Sequence, residues 1–284
     1  MSNAADAQGN FVVVGRMSGG TSLQLSPTVI LTSTSANTLV VAKFGSDGTP
    51  LWVKGFGSTG SVCSTAWAGY CDIAVDRDGN IAVTTSYEGA LTVGSTTLPD
   101  SGARKAAVFK LTPAGDPIWA RAATVTGGTV KPTGVSTGPD GSVVISGSFS
   151  GTIDFGAETA VSPSSESVFV AKYESANGAF MWYVFVIHQL PTVVLWVLMH
   201  ACARLTPWFR SDTFGGSDNF GAYRIKVDQA TGDIVVTGSY RTSATVGSNN
   251  LPITSTNATA EARGDSSAFV VKYNAQGKGG GAPI

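Results

Sequence analysis

An all-β fold built from four blade-like repeats is predicted by three observations on this 284-residue chain. A β-branched run opened by a turn of Asp, Gly and Asn type occurs four times, and a run ending in Lys follows each time. The composition agrees: with 35 Gly and only 13% charged residues, the chain suits many short strands and tight turns and little helix.

The first run appears as Gly9-Asn10-Phe11-Val12-Val13-Val14-Gly15 and as Asp78-Gly79-Asn80-Ile81-Ala82-Val83-Thr84. It returns as Asp140-Gly141-Ser142-Val143-Val144-Ile145-Ser146-Gly147 and as Gly232-Asp233-Ile234-Val235-Val236-Thr237-Gly238. The second run ends at Lys43, Lys110, Lys172 and Lys272, at separations of 33, 30, 30 and 39 from the residue closing the turn. A polar loop around Asn257 stretches the last. A second turn then leads to Trp: Gly48 to Trp52, Gly115 to Trp119 and Gly178 to Trp182, while no Trp follows Gly277.

A weaker motif ending in Gly lies between the two runs, as in Leu91-Thr92-Val93-Gly94, Ile153-Asp154-Phe155-Gly156 and Ala244-Thr245-Val246-Gly247. With the run before the turn, such as Cys71-Asp72-Ile73-Ala74-Val75-Asp76, each repeat reads as a meander of about four antiparallel strands. The repeats span about 1–52, 71–119, 133–182 and 222–278. Such a sheet cannot bury both faces alone. Radial packing of like sheets lets each cover its neighbour, so one β-propeller domain or propeller fragment over 1–284 is expected.

These residues resemble the seven-bladed beta-propeller repeat family (SBBP), whose units run as Asp-x-x-Gly-Asn, a β-branched run and Gly, then Phe-φ-x-Lys-Tyr, then Gly-x-x-x-Trp. The third copy is closest, from Asp140 through Phe169-Val170-Ala171-Lys172-Tyr173 to Trp182. The resemblance covers nearly the whole chain and implies a fold more than an activity, because the family carries no catalytic motif to transfer. Its name implies more blades than the four here, the first copy opens inside a strand, and the last lacks its Trp strand. Either a four-bladed ring closes by pairing the two chain ends or the chain is a piece of a larger propeller, and the second is expected.

One segment departs from the pattern. From each Trp to the next residue closing a turn the separations are 28, 23 and 51, so the third junction carries a hydrophobic insertion, 183–209. From Tyr183 to Ala203 it has no charge, and it holds His188, His200 and Cys202. A membrane span has about this length, but between two blades it would break the ring. A buried or interfacial helix limited by Pro191 is the second reading, and only a genuine helix over 183–203 would give membrane contact. The favoured reading is a segment foreign to the fold, because joining Trp182 to Phe209 restores ordinary spacing.

A net charge of -1 leaves no basic footprint, so nucleic acid is excluded as a partner. No catalytic residue, cofactor site or metal site is assigned: outside the insertion there is no histidine, which removes Ser-His-Asp and Cys-His chemistry and most zinc sites. Asp212 and Asp218 remain as a carboxylate pair, equally read as solvated loop residues. Asp76-Arg77-Asp78-Gly79-Asn80 lacks the bidentate Glu of a calcium loop and reads as a hairpin turn. Cys63 and Cys71, eight apart, can form a disulfide or stay as two thiols. Asn257 fits the N-glycosylation pattern.

Trp52, Trp119 and Trp182 recur once per repeat and read as packing anchors. Each repeated Lys is expected to lay its stem on the sheet with its ammonium in solvent; four lysines lining an anion channel is the weaker alternative. The expected function is a non-enzymatic scaffold or interaction module binding an unidentified protein or glycan. The low charge points to an extracellular or cell-surface setting, and no leader is visible at the N-terminus. The alternative is a quinoprotein-like or carbohydrate-active propeller enzyme.

Overall fold

The computed structural model describes residues 2–63, 71–100, 102–162, 166–185, 221–240, 243–246, 251–254 and 267–277. The first repeat supplies β1 (Ser2–Ala5), β2 (Phe11–Ser18), β3 (Ser22–Gln24), β4 (Ile30–Thr32), β5 (Asn37–Phe44) and β6 (Pro50–Ser58). The second supplies β7 (Cys71–Val75), β8 (Ile81–Tyr87), β9 (Leu91–Val93), β10 (Thr96–Leu98), β11 (Lys105–Leu111) and β12 (Pro117–Thr126). The third follows with β13 (Val130–Thr137), β14 (Val143–Phe149), β15 (Thr152–Asp154), β16 (Thr159–Val161), β17 (Ser167–Tyr173) and β18 (Phe180–Phe185). The fourth is described as β19 (Gly221–Val227), β20 (Ile234–Tyr240), β21 (Ser243–Val246), β22 (Leu251–Thr254) and β23 (Ser267–Tyr273). Among the described residues there is no helix, so none is long and apolar enough to cross a membrane.

All pairings are antiparallel. Each repeat forms a meander, β1-β2-β5-β6, β7-β8-β11-β12, β13-β14-β17-β18 and β19-β20-β23. The turn chemistry sets the first hairpins: the Asp76 carbonyl accepts from Gly79 N, whose φ of +80° excludes most side chains, while the Asp76 carboxylate accepts from the Asp78 and Asn80 amides. Asp6 serves the first repeat in the same way.

The motif seen as a weak stretch ending in Gly becomes a two-stranded finger. β9-β10 leaves the second repeat and pairs with β6 of the first at Ser58↔Leu91, and β15-β16 pairs with β12 through Thr124↔Asp154, Val125↔Ile153 and Thr126↔Thr152. Each finger therefore extends the preceding sheet and covers its outer edge, the place where an unpaired strand invites association.

Both faces of the second sheet are buried, which is why its strands read as continuous apolar runs. Ile73, Ile81, Val83, Phe109 and Leu111 pack against Val12, Val14, Leu39 and Val41 of the first repeat. On the opposite face Ala74, Ala82, Ala106 and Val108 receive Val143, Ile145, Phe169 and Tyr173 of the third. At the second junction a bulky face thus meets a small-residue face. Full burial of one such side chain contributes roughly 1.5–3 kcal/mol, so the junctions supply most of the core.

The opening strands lie side by side along one edge of the stack. Asp72 on β7 accepts from Ser2 Oγ on β1 and, at 3.0 Å, from the Val135 amide on β13. Thr137 Oγ1 donates to the Val75 carbonyl, and Ser136 Oγ accepts from the Val227 amide of β19 at 3.0 Å.

Cys63 and Cys71 are disulfide-bonded beside the core shared by the first two repeats. Breaking this short loop by Cys63→Ser is expected to cost about 2–3 kcal/mol. A thermal melt with and without reductant checks it, and an unchanged midpoint would speak against a structural role. Tyr183, Val184 and Phe185, the first residues of the segment expected to be foreign, continue β18 opposite Ala171, Val170 and Phe169. Sheet structure therefore runs into that segment as far as Phe185. The rest of that segment, with His188, His200 and Cys202, lies outside the described residues, as do Asp212, Asp218 and Asn257.

Candidate functional site

The repeated Lys and the repeated Trp stand opposite each other on neighbouring strands: Lys43↔Trp52, Lys110↔Trp119 and Lys172↔Trp182. A register shift follows each Lys, so the pair sits where the third and fourth strands bulge. Both side chains project towards the next repeat. Trp119 Nε1 donates to the Ser175 carbonyl at 2.9 Å, and Trp52 Nε1 to the Pro113 carbonyl at 3.2 Å, in each case in the second turn of the following sheet. The ring lies against the glycine of that turn; a β-carbon at Gly178 would stand 2.5 Å from Trp119, and one at Gly277 3.2 Å from Trp182.

The lysines correct an expectation. Lys110 Nζ is 2.9 Å from Asp76 Oδ2, with only 1% and 2% of the two side chains exposed, and it also donates to the Gly141 carbonyl and Ser175 Oγ at 2.8 Å. Lys43 pairs with Asp6 at 3.0 Å and Lys172 with Asp140 at 3.4 Å, and both lysines are buried. These ammonium groups do not stand in solvent, and they do not line an anion channel. The reason is packing: the next sheet covers this face, so a Lys placed on it turns to an Asp of its own repeat's turn, buried for Asp6 and Asp76 and half-exposed for Asp140. Only Lys272, paired with Asp233 at 2.8 Å, remains half-exposed.

The partner aspartate moves within the turn while the pair persists. It opens the turn as Asp6 and Asp76, sits two residues later as Asp140, and closes the longer fourth turn as Asp233. For Asp76, the contacts with two amides, Asn80 Nδ2 and Lys110 occupy both oxygens, which fits a turn and not a calcium loop.

Burial works to raise the Asp6 carboxyl, but hydrogen bonds from Asn10 and Lys43 hold it below its ordinary value. Asp140 is lowered by the same opposition, with Ser142 and Lys172 outweighing burial, and the Lys272 hydrogen bond lowers Asp233. A carboxylate depressed in the folded state contributes stability above its unfolded pKa of about 3.9 and loses it as pH falls through the folded value. The melting temperature is therefore expected to drop below about pH 4. Calorimetry from pH 7 to 3 tests this, and a rise on acidification would contradict it. The opposite sign holds for Lys272, raised by its Asp233 hydrogen bond: its contribution is lost as pH rises beyond about 10.4.

A groove of about 670 Å³ lies on the rim between the first two repeats, beside the pairing of β6 with the β9-β10 finger. Ser35, Ser58, Thr59 and Thr92 are among its lining residues, as are the members of the exposed pair Lys54–Asp116, 3.1 Å apart. Among the described residues no group of three His, Cys, Asp or Glu side chains could hold a metal ion.

The Lys–Trp opposition, the finger pairing and the Asp72 bridge were not seen in the sequence; equal spacing of nine residues in Lys43–Trp52 and Lys110–Trp119 was the available signal for the first. No protein-family model and no curated protein matches the chain.

Proposed function

We propose that the four sheets are blades of a β-propeller of the seven-bladed-repeat kind, and that the chain is a non-enzymatic scaffold or interaction module. The stacking of opening strands along one edge and the conversion of both sheet faces into junctions support the radial arrangement.

One observation carries the functional reading. The polar groups that recur with the repeat, the Asp carboxylate, the Lys ammonium and the Trp Nε1, are committed to turns and to neighbouring blades. Recurring chemistry thus serves assembly, and partner recognition falls to the features that do not recur, foremost the groove on the first two blades. Its occupant is a protein segment or a glycan. The Cys63–Cys71 disulfide supports an extracellular or cell-surface setting.

A glycan array and a pull-down with the purified chain test the reading, with Thr59→Arg and Thr92→Arg as groove-blocking variants. Binding that both variants abolish is expected. A quinone-type absorption spectrum, or release of sugar from a glycan panel, would overturn the non-enzymatic assignment.

A further inference from the structure

The groove on the first two repeats runs along an open strand edge. Thr59 N donates to the Ala90 carbonyl of the finger at 3.0 Å, and backbone groups alternate between the two sides of a strand. The unbroken register of β6 from Trp52 to Ser58 therefore turns the amides and carbonyls of Val53, Gly55 and Gly57 to that same outer side. The finger pairs with this edge at Ser58↔Leu91 alone. On the second repeat the pairing of β12 also takes in Thr124, the counterpart of Gly57. Among the described residues, Val53 and Gly55 have no backbone partner on their outer side, and Gly55 is exposed.

We infer that this edge takes up an extended segment of a partner protein as an added strand, laid along β6 in the groove. The inference rests on the groove reading proposed above and names its occupant. Donors and acceptors of Val53 and Gly55 follow one another along the edge at the spacing of a β-strand, which an extended peptide matches and a glycan does not. The lining is small where a peptide backbone would approach. A β-carbon at Gly55 would stand 2.9 Å from both Leu31 and Thr38, and one at Gly57 would strike Ser35, so packing within the first repeat keeps both positions glycine and the edge bare. Across the groove Ala90, Thr92 and Gly94 of the finger are small as well. An added strand would continue along β6 the pairing that the finger begins at Ser58. Lys54 and Asp116 bring opposite charges to the lining and satisfy each other at 3.1 Å, which suits a segment without net charge and with small side chains.

Amide hydrogen exchange of Val53 and Gly55 in the full chain reads strand addition directly. Both amides are expected to exchange fast in the chain alone. The neutral peptide acetyl-Ser-Thr-Ala-Thr-Val-Thr-Ser-amide should slow them at least about threefold at about 2 mM, as a dissociation constant of about 1 mM or tighter requires. The same peptide N-methylated at every residue should lose the effect, a control that leaves the chain untouched. Val53→Pro removes one outward amide at a site where an edge strand tolerates proline, and should weaken peptide binding at least about tenfold while the thermal transition stays in place. Slow exchange of both amides before any peptide is added would show the edge already covered and overturn the proposal. No slowing at about 2 mM, or slowing that survives N-methylation, would overturn it too. If strand addition fails while a glycan or protein still binds and Thr59→Arg and Thr92→Arg abolish that binding, the groove reading stands; if nothing responds to those two variants, both readings fall.

Discussion

Replacing Lys110 by alanine is expected to lower the stability of the chain by about 3–5 kcal/mol, because it leaves the Asp76 carboxylate buried without its counter-charge. The same change removes the donor to the Gly141 carbonyl and to Ser175 Oγ, so it loosens the second repeat from the third as well as unpairing a charge. Lys272→Ala supplies the internal contrast. Its ion pair is open to solvent and screened, so its loss costs little. Urea unfolding of the two variants should show a large shift of midpoint for Lys110→Ala and a small one for Lys272→Ala. Equal shifts would mean that the burial of the second-repeat pair has no energetic consequence.

Trp119→Ala is expected to cost about 3–5 kcal/mol, the range for truncating a large buried aromatic. Its indole covers the second turn of the third repeat, where Gly178 approaches closely, and its Nε1–H satisfies the Ser175 carbonyl. Trp119→Phe separates the two contributions. It keeps most of the apolar cover and forfeits the hydrogen bond, so a loss of about 1 kcal/mol is expected. Since Trp52 is less buried and makes the longer bond of 3.2 Å to Pro113, Trp52→Ala should cost less than Trp119→Ala. Denaturant midpoints for the three variants give the order directly, and Trp52→Ala as the most damaging of them would contradict it.

The strands and their turns were legible because period and punctuation are local. Asp-Gly and Gly-Asn pairs specify a hairpin whatever surrounds them; β2 and β8 begin where such pairs end, and β14 begins one residue later. The all-β class followed from the same signals. The lysines misled because Val40-Val41-Ala42-Lys43 and its siblings give no sign that the face bearing Lys is covered; a charge next to small residues looks like a solvent face until the next sheet is laid on it. Their partners were hidden by the drift of the aspartate from the first to the last position of the turn, so four turns that looked chemically unrelated make one ion pair. The fingers were visible only as short stretches ending in Gly. Their partner strand belongs to the previous repeat, a relation that no periodicity inside one repeat can report. For the candidate groove the sequence offered no signal, since Ser35, Ser58, Thr59 and Thr92 are drawn together by the first finger contact and belong to no motif.

That Lys110 and Trp119 join the second repeat to the third is tested most directly by a double-mutant cycle between Lys110→Met on the second repeat and Ser175→Ala on the third. The two residues lie 65 apart in sequence and 2.8 Å apart in the joint. A coupling energy of about 0.5–3 kcal/mol is expected for groups sharing one buried network. Additive losses, agreeing within about 0.3 kcal/mol, would contradict a joint between the repeats.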